Sequence, residues 1–421
     1  MKLLVNLCGH DGIISHYNGV GTMLGRYIDT FIKYFENNGY DYHINLFTPE
    51  YNEKSFGYSE DVYKKNTREN VSIYQVNNGS DGKINYGTID NWDLLCKNTA
   101  SFINDFDLSK FDLVLTIAND TPFANLLSLI NDSDNHFKVW IPHSTIKIHE
   151  VDSAIIDSEK FFDARLKWEE DAINYINENS NSYLGAIGNF IEKHLEVEYG
   201  LDSSKVLNIV NGEILDNMPE NEYNFECENL FRSIEHLPRI ILSFGRAEAY
   251  KNLDAAMELG AVMGINSVVI AQSYFKEQPI LDEYRAKAKK YPNSHLFIDP
   301  PFDFAKYILT HFEGTIIALI PSKKEIMGLI INEIRKLNRD NILIVSNNID
   351  GLKEQITDGK NGVLVNLDSI KRSSNKISKY LNSLDIRKMN YNSQIVLNEK
   401  YNLYKNISVF MDEILERFKH E

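Results

Sequence analysis

The chain has 421 residues, 43% of them hydrophobic and 25% charged, with a net charge of -16. That length is past the point where one hydrophobic core keeps growing, so two domains are expected. The acidity repels nucleic-acid phosphates and anionic membranes, and no run of Lys and Arg forms a local exception.

Cys8, Cys96 and Cys227 are too scattered for a disulfide framework or a zinc cluster and read as reduced thiols. The opening MKLLVNLCGHDG carries an apolar run too short for a signal peptide and lacks a small-residue cleavage site. No later stretch approaches ~18 uninterrupted apolar residues. A cytoplasmic location is therefore expected, and membrane association is disfavoured.

In chain order, short apolar runs alternate with helical patterns, the signature of repeated strand–helix–strand units and parallel sheets. The first half offers strands at 2–7, 43–48, 71–76, 112–117, 137–143 and 182–188. The second offers 205–210, 239–245, 267–272, 295–299, 314–322, 341–346 and 362–366. Two doubly wound sheets fit this count. Between them NGEILDNMPENEYNFECENLFRSIEHLP is polar, acidic and proline-flanked, which places the boundary near Asn211 or slightly before it. The expected domains are 1–204 and 205–400, followed by a helical segment at 401–421. That helix carries Leu403, Ile407, Phe410, Met411 and Ile414 on one face, and such a face must pack on something.

Three stretches carry candidate chemistry. In ALIPSKKEIMGLIINEI (318–334), a strand ends at Pro321 and Ser322 and a helix starts near Gly328, with Glu325 and Glu333 at the two ends of the transition. A turn opening a helix presents free backbone N–H groups and a positive dipole end, which suits a sugar diphosphate. Two glutamates at this spacing also arise on any Glu-rich surface helix. The preceding strand places Glu325 at a carboxyl sheet edge, where open α/β folds bind ligands.

In RIILSFGRAEAYKNLDAAMEL (239–259), Arg246 follows Gly245 at a strand end, and Lys251 lies five residues on. Together they would hold a pyrophosphate through charge-assisted hydrogen bonds, although basic residues at strand ends are common. In HYNGVGTMLGRYIDTF (16–31), Gly19 and Gly21 open a helix after the first strand and let backbone approach a ligand. The G-x-G-x-x-x-G spacing is one residue too long for the dinucleotide fingerprint, which disfavours NAD. His143 ends the strand FKVWIPH, where a histidine serves packing as readily as chemistry.

Taken jointly, the order of GVG, PH, Asn211–Gly212, GR with Lys251, E-x-x-G-L and the second glutamate resembles the family 4 retaining glycosyltransferases of GT-B fold. GNFIEKHLEVEYGLDSSKVLNIVNG (188–212) and DGLKEQITDGKNGVLV (350–365) look like family material too, so the resemblance covers most of the chain.

It implies two Rossmann-like doubly wound α/β domains facing a central cleft, an acceptor domain at 1–204 and a nucleotide-sugar donor domain at 205–400, with the helix at 401–421 crossing back to the first domain. It further implies that Arg246 and Lys251 bind the donor diphosphate, and Glu333 the ribose. Glu325 and the backbone of Met327, Gly328 and Leu329 would bind the sugar, with Gly19 and Gly21 meeting the phosphates and His143 lying beside the transferred sugar. The implied reaction moves a sugar from a UDP- or GDP-sugar to a soluble sugar-like, natural-product or protein acceptor. Configuration is retained, and neither cofactor nor metal is required. The chain departs from the family at Ile326 and Met327, where Gly-Phe is usual, and at IRKLNRDN (334–341), which replaces the usual small-residue turn.

Three other readings compete. A metal-dependent transferase would need an Asp-x-Asp pair after a strand, but Asp105 and Asp107 follow a helix and precede a strand. The same fold also serves epimerases and hydrolases, and a non-catalytic partner subunit that binds a nucleotide sugar.

Overall fold

The computed structural model describes residues 1–83, 86–148, 158–216, 224–273 and 278–420. The chain forms two compact units. Met1–Ile214 with Asn402–Glu421 makes the first, and Leu215–Tyr401 the second. Among the described residues no helix is long and apolar enough to cross a membrane.

In the first unit the strands are β1 (Lys2–Cys8), β2 (Asp41–Pro49), β3 (Val71–Val76), β4 (Leu113–Asn119), β5 (His136–Ile141), β6 (Ser182–Ala186) and β7 (Val206–Asn208). They form one parallel sheet in the order β3-β2-β1-β4-β5-β6-β7. All seven residues of β4, LVLTIAN, are buried, as expected of a strand with helices on both faces. Inside that sheet runs a row of polar side chains. Asn45 Nδ2 donates to Asn6 Oδ1 at 3.0 Å, Asn6 Nδ2 donates to Thr116 Oγ1 at 3.0 Å, and Thr116 Oγ1 lies 2.8 Å from His136 Nε2. Slipping a strand by one residue would break this row, so it reinforces the register. Burial pushes the His136 imidazole down to about 3.

The boundary expected at residue 204 is corrected. Val206–Asn208 pairs with β6 and belongs to the first sheet. The first unit therefore runs on to Ile214. Leu207 and Ile209 are buried there, and a three-residue edge strand gives no sequence sign of which sheet it joins.

The helix Gly19–Asn37 follows β1 and buries Met23, Leu24, Tyr27, Ile28, Phe31 and Phe35 at helical spacing. Against it packs the helix Leu403–His420, whose Leu403, Ile407, Phe410, Met411 and Ile414 are all fully buried. The Phe31 and Phe410 ring centroids are 6.3 Å apart. Tyr34 Oη donates to Asp412 Oδ1 at 2.9 Å, and Leu403 N donates to Glu213 O at 3.0 Å. Arg26 pairs with the buried Glu213 carboxylate at 2.7 Å. Residues on both sides of the excursion into the second unit are thus fastened to one helix.

In the second unit the strands are β8 (Arg239–Arg246), β9 (Asn266–Gln272), β10 (Ser294–Ile298), β11 (Thr315–Ile320), β12 (Ile342–Asn347) and β13 (Val363–Val365). They are parallel in the order β10-β9-β8-β11-β12-β13. Apolar clusters cover both faces. Each sheet winds outwards in both directions from a central pair, β1/β4 in the first and β8/β11 in the second. Open α/β sheets bind ligands beyond the carboxyl ends of such pairs.

Candidate active site

Beyond the carboxyl ends of β8 and β11, two loops are tied to each other. β8 delivers Arg246, and a short 3-10 turn, Ala249–Lys251, delivers Lys251. Asn252 closes that turn with φ +52°, the left-handed region that asparagine tolerates better than most residues. From the other loop Lys323 N donates to Tyr250 O at 2.7 Å, and Lys251 Nζ meets Glu325 Oε2 at 2.6 Å. The structure therefore brings Lys251 and Glu325 together across 74 residues of sequence. Both side chains keep some solvent access, 20% and 16% respectively.

Arg246 donates to Tyr250 Oη at 2.9 Å and pairs with Glu248 Oε2 at 3.3 Å. Burial pushes the Tyr250 hydroxyl well up, so it stays protonated. Without a ligand, each of the two basic groups rests against a carboxylate.

The segment after Glu325 turns under a backbone constraint. Gly351 N donates to Glu325 O at 3.0 Å, and a Cβ on Gly351 would lie 1.5 Å from Ile326 O. Only glycine fits that approach. Gly328 is the N-cap of the helix Leu329–Lys336. Its N–H donates to Gln355 Oε1 at 2.9 Å, while Gln355 Nε2 returns a bond of 3.1 Å to Gly328 O. In this structure the Gly328 N–H is taken by Gln355. Met327 and Leu329 are half-buried on either side, and Glu333 is half-buried on the helix itself. Behind it lies Arg335, buried against the Tyr401 ring and donating to Gln355 O at 2.6 Å. Burial lowers its guanidinium to about 10.

In the first unit the loop after β1 is organised by Asp11, a fully buried carboxylate. It accepts from Gly12 N at 2.9 Å, Ser15 Oγ at 2.7 Å, Tyr17 N at 3.2 Å and Asn18 N at 3.0 Å. A Cβ on Gly21 would stand 2.1 Å from Asp11 Oδ2, and the Gly21 N–H already donates to Asn18 Oδ1 at 2.9 Å. The missing side chain of Gly21 thus makes room for Asp11. Gly19 is exposed at the first helical position.

His143 follows β5, with Nε2 2.9 Å from Asn119 Oδ1, and enclosure by protein pushes its imidazole down to about 4. At neutral pH it is uncharged. At the end of the neighbouring strand β4, Asp120 sits at φ +73°, held by Asp120 N to Ile141 O at 2.8 Å and Trp140 Nε1 to Asp120 O at 3.2 Å. Its Oδ2 is 3.6 Å from His10 Nδ1, too long for a hydrogen bond. His10 Nδ1, Asn119 Nδ2 and Asp120 Oδ1 are buried without hydrogen-bond partners. Buried polar atoms in this state are rare, and a backbone held at an unfavourable φ lies beside them. Sequence reasoning singled out His143 and missed His10, Asn119 and Asp120. The available signal was the pair of strand ends, CGHDG and IANDTP, which the sheet order makes neighbours.

Asp105 caps the end of the helix Ile89–Asn104, and Asp107 pairs with Lys110 at 3.1 Å on the surface. They occupy a helix end rather than a strand edge.

Residues 229–394 match the family Glycosyl transferases group 1. Over its whole length the chain is similar in fold to sucrose-phosphate synthase from Thermosynechococcus elongatus, with TM-score 0.73, 13% identity and all of both chains covered. It is similar also to Anabaena Alr3699/HepE in complex with UDP, with TM-score 0.65, 12% identity and all of both chains covered. An E. coli trehalose-6-phosphate structure bound with UDP-2-fluoro glucose gives TM-score 0.62 at 11% identity, over 97% of this chain and 98% of that one. No curated protein matches in sequence. The fold is GT-B, and the matched domain together with that fold supports a glycosyltransferase enzyme.

Proposed function

We propose that the chain transfers a sugar from a nucleoside diphosphate sugar to a soluble hydroxyl acceptor, with retention of configuration and without a metal ion. The observation that carries this reading is the Lys251–Glu325 pair beside Arg246, at the carboxyl ends of β8 and β11. A diphosphate entering there gives both basic groups a partner with more negative charge than a single carboxylate. Glu325, freed from Lys251, then accepts hydrogen bonds from sugar hydroxyls, and Glu333 from the ribose. The acceptor oxygen attacks the anomeric carbon on the face from which the diphosphate leaves. The bond to the diphosphate oxygen breaks, and that oxygen takes the acceptor proton. Arg246 and Lys251 stabilise the charge that builds on the leaving group, a role metal ions fill in other transferases. The UDP and UDP-sugar ligands of the similar structures favour uridine as the donor base. Asp120, Asn119 and His143 supply polar contacts for the hydroxyl acceptor.

The test is a thermal-shift series with UDP-glucose, UDP-galactose, GDP-mannose and the free nucleotides, followed by product analysis of the stabilising donor with EDTA present. A ligand at about 100 times its dissociation constant stabilises by about 2.7 kcal/mol. A labelled glycoside of retained configuration, formed in EDTA, is expected. Free sugar, an epimer or binding with no product would replace the proposal by a hydrolase, an epimerase or a partner subunit, and activity that returns only with manganese or magnesium would remove the metal-free mechanism.

A further inference from the structure

Arg335 is a buried charge that the transferase reading leaves unexplained. It lies in IRKLNRDN, on the last turn of the helix Leu329–Lys336, and is 2% exposed. Among the described residues no carboxylate pairs with it. Its Nη1 donates to Asn332 Oδ1 at 3.1 Å, its Nη2 donates to Gln355 O at 2.6 Å, and its Nε has no partner. The Tyr401 ring, 5.7 Å from the guanidinium carbon, adds a cation–π contact. Arginine is almost never fully buried without a counter-ion, because taking the charge out of water costs more than neutral hydrogen bonds return. A residue kept at that cost is expected to fix something that an apolar side chain would not.

What it fixes is Gln355, which ends the helix Asp350–Gln355 and is itself buried. The last carbonyls of a helix lack partners within it, so a cation bonded at that end satisfies one of them and suits the helix dipole. The planar fork of the guanidinium reaches Asn332 and Gln355 at once, which a single ammonium group would not do in the same geometry. Gln394 Nε2, from the helix Ser383–Lys400, donates to Arg335 O and anchors the arginine backbone. Gln355 in turn occupies both polar backbone groups of Gly328, its Oε1 taking the N–H at 2.9 Å and its Nε2 bonding to the C=O at 3.1 Å. Earlier on the same helix Gly351 N donates to Glu325 O at 3.0 Å. The turn from Glu325 to Gly328 is therefore clasped at both ends by one short helix, and Arg335 secures that helix from behind.

We infer that Arg335 and Gln355 are positioning residues: Arg335 holds Gln355, and Gln355 holds the turn Glu325–Gly328 in the shape that meets the sugar end of the donor. The clasp rests on these bonds alone, and its link to the sugar rests on the transferase reading above. Loosening it should weaken what the sugar adds to binding and spare the nucleoside diphosphate, which Arg246 and Lys251 hold from the β8 side.

Hydrogen exchange on the full chain, with titration calorimetry of UDP and UDP-glucose, tests this in Arg335→Met and Gln355→Glu. Arg335→Met exchanges a buried charge for an apolar chain of similar length, so the fold is expected to survive. Gln355→Glu keeps size and shape but sets a carboxylate oxygen against Gly328 O. Both variants should lose roughly tenfold in protection over 325–332, with β8 and β11 protected as in the wild type. UDP should bind them as it binds the wild type, while the ratio of UDP-glucose to UDP affinity falls roughly fivefold or more. Unchanged exchange over 325–332 would overturn the assignment, and so would faster exchange spread through both strands, which would show general support of the core. If exchange behaves as stated but neither ligand binds even the wild type, the clasp stands and the donor reading fails. If both ligands bind and their ratio is the same in every variant, the donor reading stands and the positioning role fails. Should Arg335→Met lose its cooperative unfolding transition, Gln355→Glu decides by the same outcomes.

Discussion

Arg246 and Lys251 are bound to carboxylates in the free protein, so their value to the reaction is the difference between those partners and the departing diphosphate. That difference grows as the sugar–phosphate bond breaks, and such interactions appear in turnover rather than in substrate affinity. Arg246→Ala and Lys251→Ala are therefore expected to lower kcat by about 100-fold or more with the fold intact, as read by steady-state kinetics alongside circular dichroism. Glu333→Ala should instead raise KM for the donor with kcat nearly unchanged, since a ribose contact is the same before and during transfer. Near-normal kcat in both basic variants would remove the site. At this scale the sequence shows residue types and hides their partners. The glutamate that meets Lys251 lies 74 positions away, and nothing local marks Gln355 as the acceptor for the Gly328 N–H. Gly21 shows the converse limit, because a glycine freed for a ligand and a glycine freed for Asp11 look alike in one sequence.

Among elements, the strands were legible because buried parallel strands are runs of apolar residues, while the three-residue β7 was too short to show its allegiance. The polar row through the first sheet was not legible, since Asn6, Asn45, Thr116 and His136 come from four separate strands. Its histidine makes the first unit acid-sensitive. His136 and His143 have folded values of about 3 and about 4, both below the ordinary 6.5. Between pH 6.5 and about 4 the unfolded chain binds protons that the folded one does not, so stability is full above pH 6.5 and falls with acid through that window. Thermal midpoints should drop accordingly, and His143→Asn should make the slope shallower; an unchanged slope would mean that His143 does not contribute. The helix Leu403–His420 belongs to the first unit and buries Leu403, Ile407, Phe410, Met411 and Ile414. Phe410→Ala should cost about 3–5 kcal/mol, and deleting 403–421 should abolish hydrogen-exchange protection in the helix Gly19–Asn37. Protection that survives the deletion would show that the helix is dispensable.

For the molecule as a whole, two doubly wound sheets were legible from the alternation of strand and helix, and the chemistry of each edge follows from which strand ends the winding places side by side. The first unit is assembled from two pieces of chain with the whole of Leu215–Tyr401 between them. On the ribosome this imposes an order of events. The first sheet emerges with the apolar groove of Gly19–Asn37 lacking the helix that covers it, and it must wait while the second unit is synthesised. At roughly 5–20 residues per second that interval is on the order of 10–40 s. Meanwhile the nascent first unit is an incomplete domain in which Phe31 and Tyr34 lack their partners on the last helix, while the later-made second unit, whose chain is continuous, is free to finish folding first.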